Sequence, residues 1–187
     1  MATDQSTHYS TRLDLDETIR TKSIALLNQS LASNLDLKTQ VKQAHWNVKG
    51  KDFYQLHLLF DEMAEELEEF VDLLAERITA LGGYAMGTTR VAAKQSELPE
   101  YIFEAVDSMD HVIALAERFS IYAKSVRHRI EQTDELGDAV TADVYTEVSR
   151  AIDKRLWFLE AHLQRSSIPG GTMAGDSKPE KAEVAVK

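Results

Sequence analysis

The sequence predicts an all-α protein: a bundle of four long helices, with a long crossover carrying a short helix between the second and the third. Three observations predict it. Apolar residues recur at helical spacing through four long stretches. Only 8 Gly and 3 Pro occur in 187 residues, and they fall at the edges of those stretches or outside them. Finally, 43% of the residues are apolar, which suits one domain with a full core.

Residues 1–15 read as a flexible polar tail, and the bundle as 16–165. The first helix runs over about 16–47, with Ile24, Leu27, Leu31 and Val41 on its apolar side and Asp16 or Thr18 as its cap. Gly50 breaks the pattern, and the second helix follows over 52–81 until Gly82-Gly83 stops it. A connection from 84 to 98 is long enough to cross the bundle, and Pro99 points to a short helix near 99–106. The third helix is expected at 108–133 and the fourth at 137–165. Ile168-Pro169-Gly170-Gly171 ends the fold, leaving 166–187 as a flexible C-terminal tail.

Five residues carry the chemistry: His45, His57, Asp61, Asp72 and Glu76. With His57 at zero on an ideal helix, Asp61 falls near 40°, Asp72 near 60° and Glu76 near 100°, all rough positions at about 100° per residue. Leu56, Phe60, Met63, Leu67, Leu74 and Ile78 cluster on the opposite side, so the stripe cannot face its own core. Imidazole and carboxylate suit ferrous iron, and zinc or manganese fits the same donors. Asp61 and Asp72 are eleven residues apart, about 16 Å along a helix. One metal cannot touch both pairs in one chain. Two copies crossing antiparallel about a two-fold axis near Glu66 and Leu67 would bring His57 and Asp61 to Asp72 and Glu76 of the partner subunit, giving two equivalent sites. The competing reading is a solvated acidic face, since 52–76 holds nine Asp or Glu and no Lys or Arg. Such a run repels itself, and bound cations would relieve it.

The segments AHWNVKG (44–50), FYQLHLLFDE (53–62), DLLAERITALGG (72–83) and KRLWFLEAHL (154–163) resemble the Dps family, the mini-ferritins of bacteria. The likeness covers about 15–163 and departs at none of the five positions. It implies a ferritin-like four-helix bundle with the long crossover, assembled from two-fold dimers into a hollow dodecamer. The implied activity is oxidation of Fe(II) by hydrogen peroxide, also by oxygen, with storage of the ferric mineral as protection against oxidative stress. It places His45, His57 and Asp61 as iron ligands from one subunit and Asp72 and Glu76 from its two-fold partner. Trp46 matches an aromatic residue beside that site, either a sink for oxidising equivalents or an interface aromatic serving burial. No His has a Glu three residues before it, so an iron site inside the bundle built on Glu-x-x-His is not supported.

A net charge of −10 and a pI near 5.1 disfavour general DNA binding and suit attraction of cations. Some relatives bind DNA through Lys-rich tails; here Lys178, Lys181 and Lys187 are balanced by Asp176, Glu180 and Glu183, so a DNA-compacting role stands as the alternative. The absence of Cys excludes disulfides and thiolate metal sites. MATDQSTHYS lacks the regions of a signal peptide and no run spans a bilayer, so a cytoplasmic place without a membrane partner is expected. By the same resemblance Asp138, Asp143, Glu147 and Asp153 fall where three-fold entry pores are lined, though Asp138 also suits helix capping. Glu65 and Glu68 share the ligand stripe and are candidates to seed mineral, whereas Glu62, Glu66 and Glu69 read as solvated. His8, His111, His128 and His162 read as surface or packing residues.

Overall fold

The computed structural model describes residues 9–164. Its helices are α1 (Glu17–Asn47), α2 (Phe53–Ala80), α3 (Thr89–Gln95), α4 (Ser108–Glu135) and α5 (Ala139–Leu163), and the described residues contain no strand. Short links make α1–α2 and α4–α5 two antiparallel hairpins, and the hairpins pack on each other through α1 with α4 and α2 with α5. The core lies between them, built from Leu27 and Leu31, Phe60 and Leu67, Phe119 and Val126, and Val148 and Ile152. Each such side chain contributes about 1.5–3 kcal/mol on burial.

The helix ends follow local chemistry. Asp16 accepts from the Thr18 amide at 2.7 Å and caps α1. Asp107 and Asp110 form a capping box on α4. Gly82 and Gly137 take φ values of 85° and 84°, the left-handed geometry that ends a helix. Of the segment expected as an N-terminal tail, residues 9–15 are described, and the Tyr9 amide donates to the Gly82 carbonyl at 2.7 Å. The expected C-terminal tail, 166–187, lies outside the described residues.

The short helix of the crossover is α3 at Thr89–Gln95, not at 99–106, which is irregular. α3 buries only Ala92 and so carries no apolar stripe to announce it. The segment expected to be helical has its carbonyls taken by side chains: Gln40 donates to Pro99 at 3.1 Å and Arg118 to Glu100 at 2.5 Å. The Tyr101 hydroxyl is shared with Nδ1 of the buried His111 at 2.6 Å, while Nε2 of that ring has no partner among the described residues. This also explains why α1 buries so many polar residues. Asn28 bonds to Tyr84 and Met86, Ser33 to Glu97 and Gln29 to Gln95, so α1 supplies the partners that the crossover backbone needs.

Asp138, one of the expected pore residues, is the buried N-cap of α5, 2% exposed. Its carboxylate accepts from Arg77 Nη2 at 2.7 Å, from the Thr141 amide at 3.1 Å and from the Thr141 hydroxyl at 2.6 Å. Burial pushes its pKa up, but the hydrogen bonds from Thr141 and the charge of Arg77 hold it below the ordinary value. A carboxylate so engaged serves the helix start and is withdrawn from a pore surface. Asp153 is an exposed partner of Arg127 at 2.7 Å, while Asp143 and Glu147 are exposed one turn apart.

Two predictions follow from these ends. Replacing Asp138 by Asn should cost about 2–3 kcal/mol in denaturant unfolding, because Arg77 keeps its charge without a counter-charge. Since the folded-state pKa is depressed, the wild-type contribution is complete above 3.8 and is lost as pH falls through the lower folded value. The variant's acid limb should therefore be flatter; an unchanged limb would remove Asp138 from the account. A Cβ on Gly82 would stand 2.5 Å from the Tyr9 carbonyl, whereas one on Gly137 meets nothing within 4 Å. Gly137→Ala should thus cost about 1 kcal/mol for its backbone alone, and Gly82→Ala about twice that, read from paired unfolding curves.

Candidate metal centre

The last turn of α1 and the first turn of α2 are joined by a tight link in which Gly50 takes a φ of 106°. That reversal sets His45 beside His57, and the two side chains engage each other's backbone. Nδ1 of His45 donates to the His57 carbonyl at 2.8 Å, and Nδ1 of His57 donates to the His45 carbonyl at 2.9 Å. A carbonyl only accepts, so each Nδ1 must carry its hydrogen in these bonds. Each neutral ring then keeps a lone pair on Nε2, the nitrogen a metal takes. The rings stack with centroids 3.8 Å apart and planes 20° from parallel. His45 is buried and His57 half-buried, with the Phe53 ring 5.2 Å from that of His57.

Asp61 lies one turn further along α2. Its Oδ1 is 3.9 Å from Nε2 of His45 and accepts from Lys42 Nζ at 2.6 Å. The Lys42 hydrogen bond, aided by its charge, holds the Asp61 carboxyl below the usual value. Lys42 was not anticipated, because the acidic run was read without its neighbours. The signal was there: Lys42 stands three residues before His45 and so shares its face of α1.

His45, His57 and Asp61 are therefore brought together. Asp72 and Glu76 are not part of that group; both are exposed, further along the same helix. Within a single chain the described residues form no cluster of three or more His, Asp or Glu side chains arranged to hold a metal. Trp46 is 67% exposed, and Phe53, Tyr54 and Leu58 add an apolar surface beside the imidazoles.

The rest of the acidic run is not uniformly solvated. Glu66 accepts from Arg155 Nε at 2.6 Å, and Glu62 stands 3.4 Å from the same guanidinium, which is itself buried. The expectation of a solvated Glu66 is corrected by this cation reaching over from α5, while Glu62 is exposed as expected. Glu68 is paired with Lys38 of α1, whereas Glu65 and Glu69 are exposed. Among the other histidines, His128 and His162 are exposed, and His8 lies outside the described residues.

The comparisons agree with this architecture. A family model described as a ferritin-like domain matches residues 24–167. A "DNA protection during starvation protein" of Agrobacterium fabrum is 42% identical over 159 residues, 85% of this chain and 98% of that protein. "General stress protein 20U" of Bacillus subtilis is 30% identical, over 75% of this chain and 96% of its own length. Among solved structures, DpsC from Streptomyces coelicolor superposes with a TM-score of 0.82 at 30% identity, covering 89% of this chain and 97% of that one. The Dps protein of Vibrio cholerae O1, described as a member of a broad superfamily of ferritin-like diiron-carboxylate proteins, gives 0.78 at 30% identity, over 83% and 97%. On its sequence, its five-helix architecture and these matches, the chain belongs to the Dps family of ferritin-like proteins.

Proposed function

We propose that this mini-ferritin is a ferroxidase that oxidises Fe(II) between subunits and stores the ferric product inside a hollow dodecamer. The observation that carries the reading is the pair of reciprocal imidazole–carbonyl bonds, which leaves an Nε2 lone pair on each of two stacked rings, that of His45 3.9 Å from Asp61 Oδ1. Three donors of one subunit are an incomplete shell, and the same helix offers a second carboxylate pair in Asp72 and Glu76. A two-fold crossing of α2 supplies Asp72 and Glu76 of the partner subunit to the trio. The apolar surface of Trp46, Phe53, Tyr54 and Leu58 is the kind that such a contact would cover.

Fe(II) is the substrate at this site. Peroxide takes one electron from each of two ferrous ions and, with two protons, leaves as two waters. With Nδ1 of each ring turned to a carbonyl, Nε2 would face the iron, and the carboxylates would offset the charge that rises as iron becomes ferric. Oxygen is the slower oxidant in this reading, and protection from peroxide follows from consuming it with iron. The described helices contain none long and apolar enough to cross a membrane, which is compatible with a cytoplasmic site of action.

The test is anaerobic Fe(II) loading followed by substoichiometric peroxide, with ferric absorbance as the readout. The parent should oxidise two Fe(II) per peroxide rapidly, and the double variant His57→Ala with Asp61→Ala should lose this by about two orders of magnitude or more. Equal slow rates in both would sink the ferroxidase. A DNA-binding role is favoured by one observation, the name carried by the Agrobacterium fabrum relative. The net charge of −10 opposes it. In a gel shift at low salt we expect no retarded duplex; retardation abolished by moderate salt would reinstate that role.

A further inference from the structure

Tyr101 and His111 form a pair for which the proposed iron chemistry has found no use. The phenol hydroxyl stands 2.6 Å from Nδ1 of the imidazole, and both residues are buried, 6% and 1% exposed. Burial pushes the Tyr101 phenol up to about 12 and the His111 imidazole down. At neutral pH the phenol therefore keeps its proton and the imidazole is an uncharged base. Asp110 and the Asn47 carbonyl act on His111 in the opposite sense, and both would support the ring once it is charged. The buried Arg118 lies 5.9 Å from the centre of the Tyr101 ring. Loss of an electron alone would set a ring cation against that guanidinium away from water, which is costly. Loss of an electron together with the proton leaves a neutral phenoxyl, and Nδ1 of His111 is the base already in contact.

The same tyrosine lines a surface cleft of about 530 Å³ together with Trp46. Trp46 follows His45 in the chain and is well exposed, so an easily oxidised indole stands between the candidate centre and the buried pair. We propose that Tyr101, with His111 as its base, is an electron donor that captures the oxidising equivalent left when peroxide takes only one electron from iron. The proposal rests on the ferroxidase reading above. In that event ferrous iron and peroxide give ferric iron, hydroxide and a hydroxyl radical. The radical takes an electron from the Trp46 indole and becomes hydroxide. The indole radical cation takes an electron from Tyr101, whose hydroxyl proton passes to Nδ1 of His111. Trp46 is restored, and the pair stands as phenoxyl and imidazolium. A further Fe(II) gives its electron to the phenoxyl, the proton returns from Nδ1, and the tyrosine is regenerated. Two Fe(II) are consumed per peroxide, and no radical is released.

The experiment needs no iron. Azide radicals made by pulse radiolysis oxidise tryptophan in the assembled full-length protein, and absorbance follows the indolyl and phenoxyl bands. The chain has two tryptophans, so a Trp157→Phe background confines the first step to Trp46. There the indolyl band should decay as the phenoxyl band grows, at a rate independent of protein concentration. Tyr101→Phe, which keeps the ring, should remove most of that growth. His111→Gln can accept the hydrogen bond but cannot take the proton, and should slow the transfer by about a hundredfold. Thermal unfolding of each variant checks its fold. Growth unchanged in Tyr101→Phe would give the role to another tyrosine, such as the exposed Tyr54, and overturn the proposal. An unchanged rate in His111→Gln would reduce the pair to a tie between the crossover and α4. Should His111→Gln unfold, the background protein in heavy water decides the same point: slower transfer is expected, and an equal rate would overturn the proton step. Failure of the ferroxidase reading shows separately, in the Fe(II) and peroxide assay above. Rapid iron oxidation there with no phenoxyl here would remove Tyr101 alone.

Discussion

The structure turns on two hydrogen bonds between the ends of α1 and α2, each running from an imidazole of one helix to a main-chain carbonyl of the other. They do two jobs with one geometry. They tie the hairpin together at the point where a left-handed glycine reverses the chain, and they fix which nitrogen of each ring bears hydrogen. A histidine held only by packing can turn its ring or exchange tautomers. Here either change would cost a carbonyl its donor inside a half-buried contact. In the proposed centre the two imidazoles would thus be oriented by the fold of a single subunit.

Preparation of one half also defines what the other half must be. α2 buries Phe60, Leu67 and Leu74 against its own bundle and presents Asp72 and Glu76 away from it. No rearrangement inside one chain brings those carboxylates back to the imidazoles without turning the apolar stripe outward. In the proposed site a second copy of the helix would offer them. The midpoint of such a crossing would lie near Glu66, where two copies would oppose like charges. Arg155, reaching from α5 to Glu66 and Glu62, lowers that repulsion from within each subunit.

Much of this was legible in the sequence, and the failures have physical causes. The four long helices announced themselves through apolar periodicity, the Asp16 cap and the glycines at 50 and 82, whereas Gly137, expected to open the fourth helix, lies before it with a positive φ. The short crossover helix did not, because α3 buries one alanine and owes its place to the side chains of α1 that line the crossover. Asp138 has the same residue type as a pore carboxylate, and only Arg77, far away in sequence, shows that it is engaged elsewhere. That His45, His57 and Asp61 come close could be expected because they lie near the two helix ends that Gly50 joins. Lys42 was overlooked because an acidic run was counted along one helix, while its counter-charges arrive from α1 and α5.

On the proposed reading those counter-charges favour a binding stripe over a solvated acidic face. The single guanidinium of Arg155 is shared by Glu66 and Glu62, Lys38 meets Glu68 and Lys42 meets Asp61, while Glu65 and Glu69 have no ion pair among the described residues. Asp72 and Glu76, toward its end, have no ion pair among the described residues. Each subunit therefore carries a charge-paired Asp61 beside its imidazoles at one end of the helix and a bare carboxylate pair toward the other. Like meeting like would set four bare carboxylates against one another. The antiparallel pairing proposed above would instead join the bare pair to the paired set, where the imidazole nitrogens of a divalent-cation site would stand.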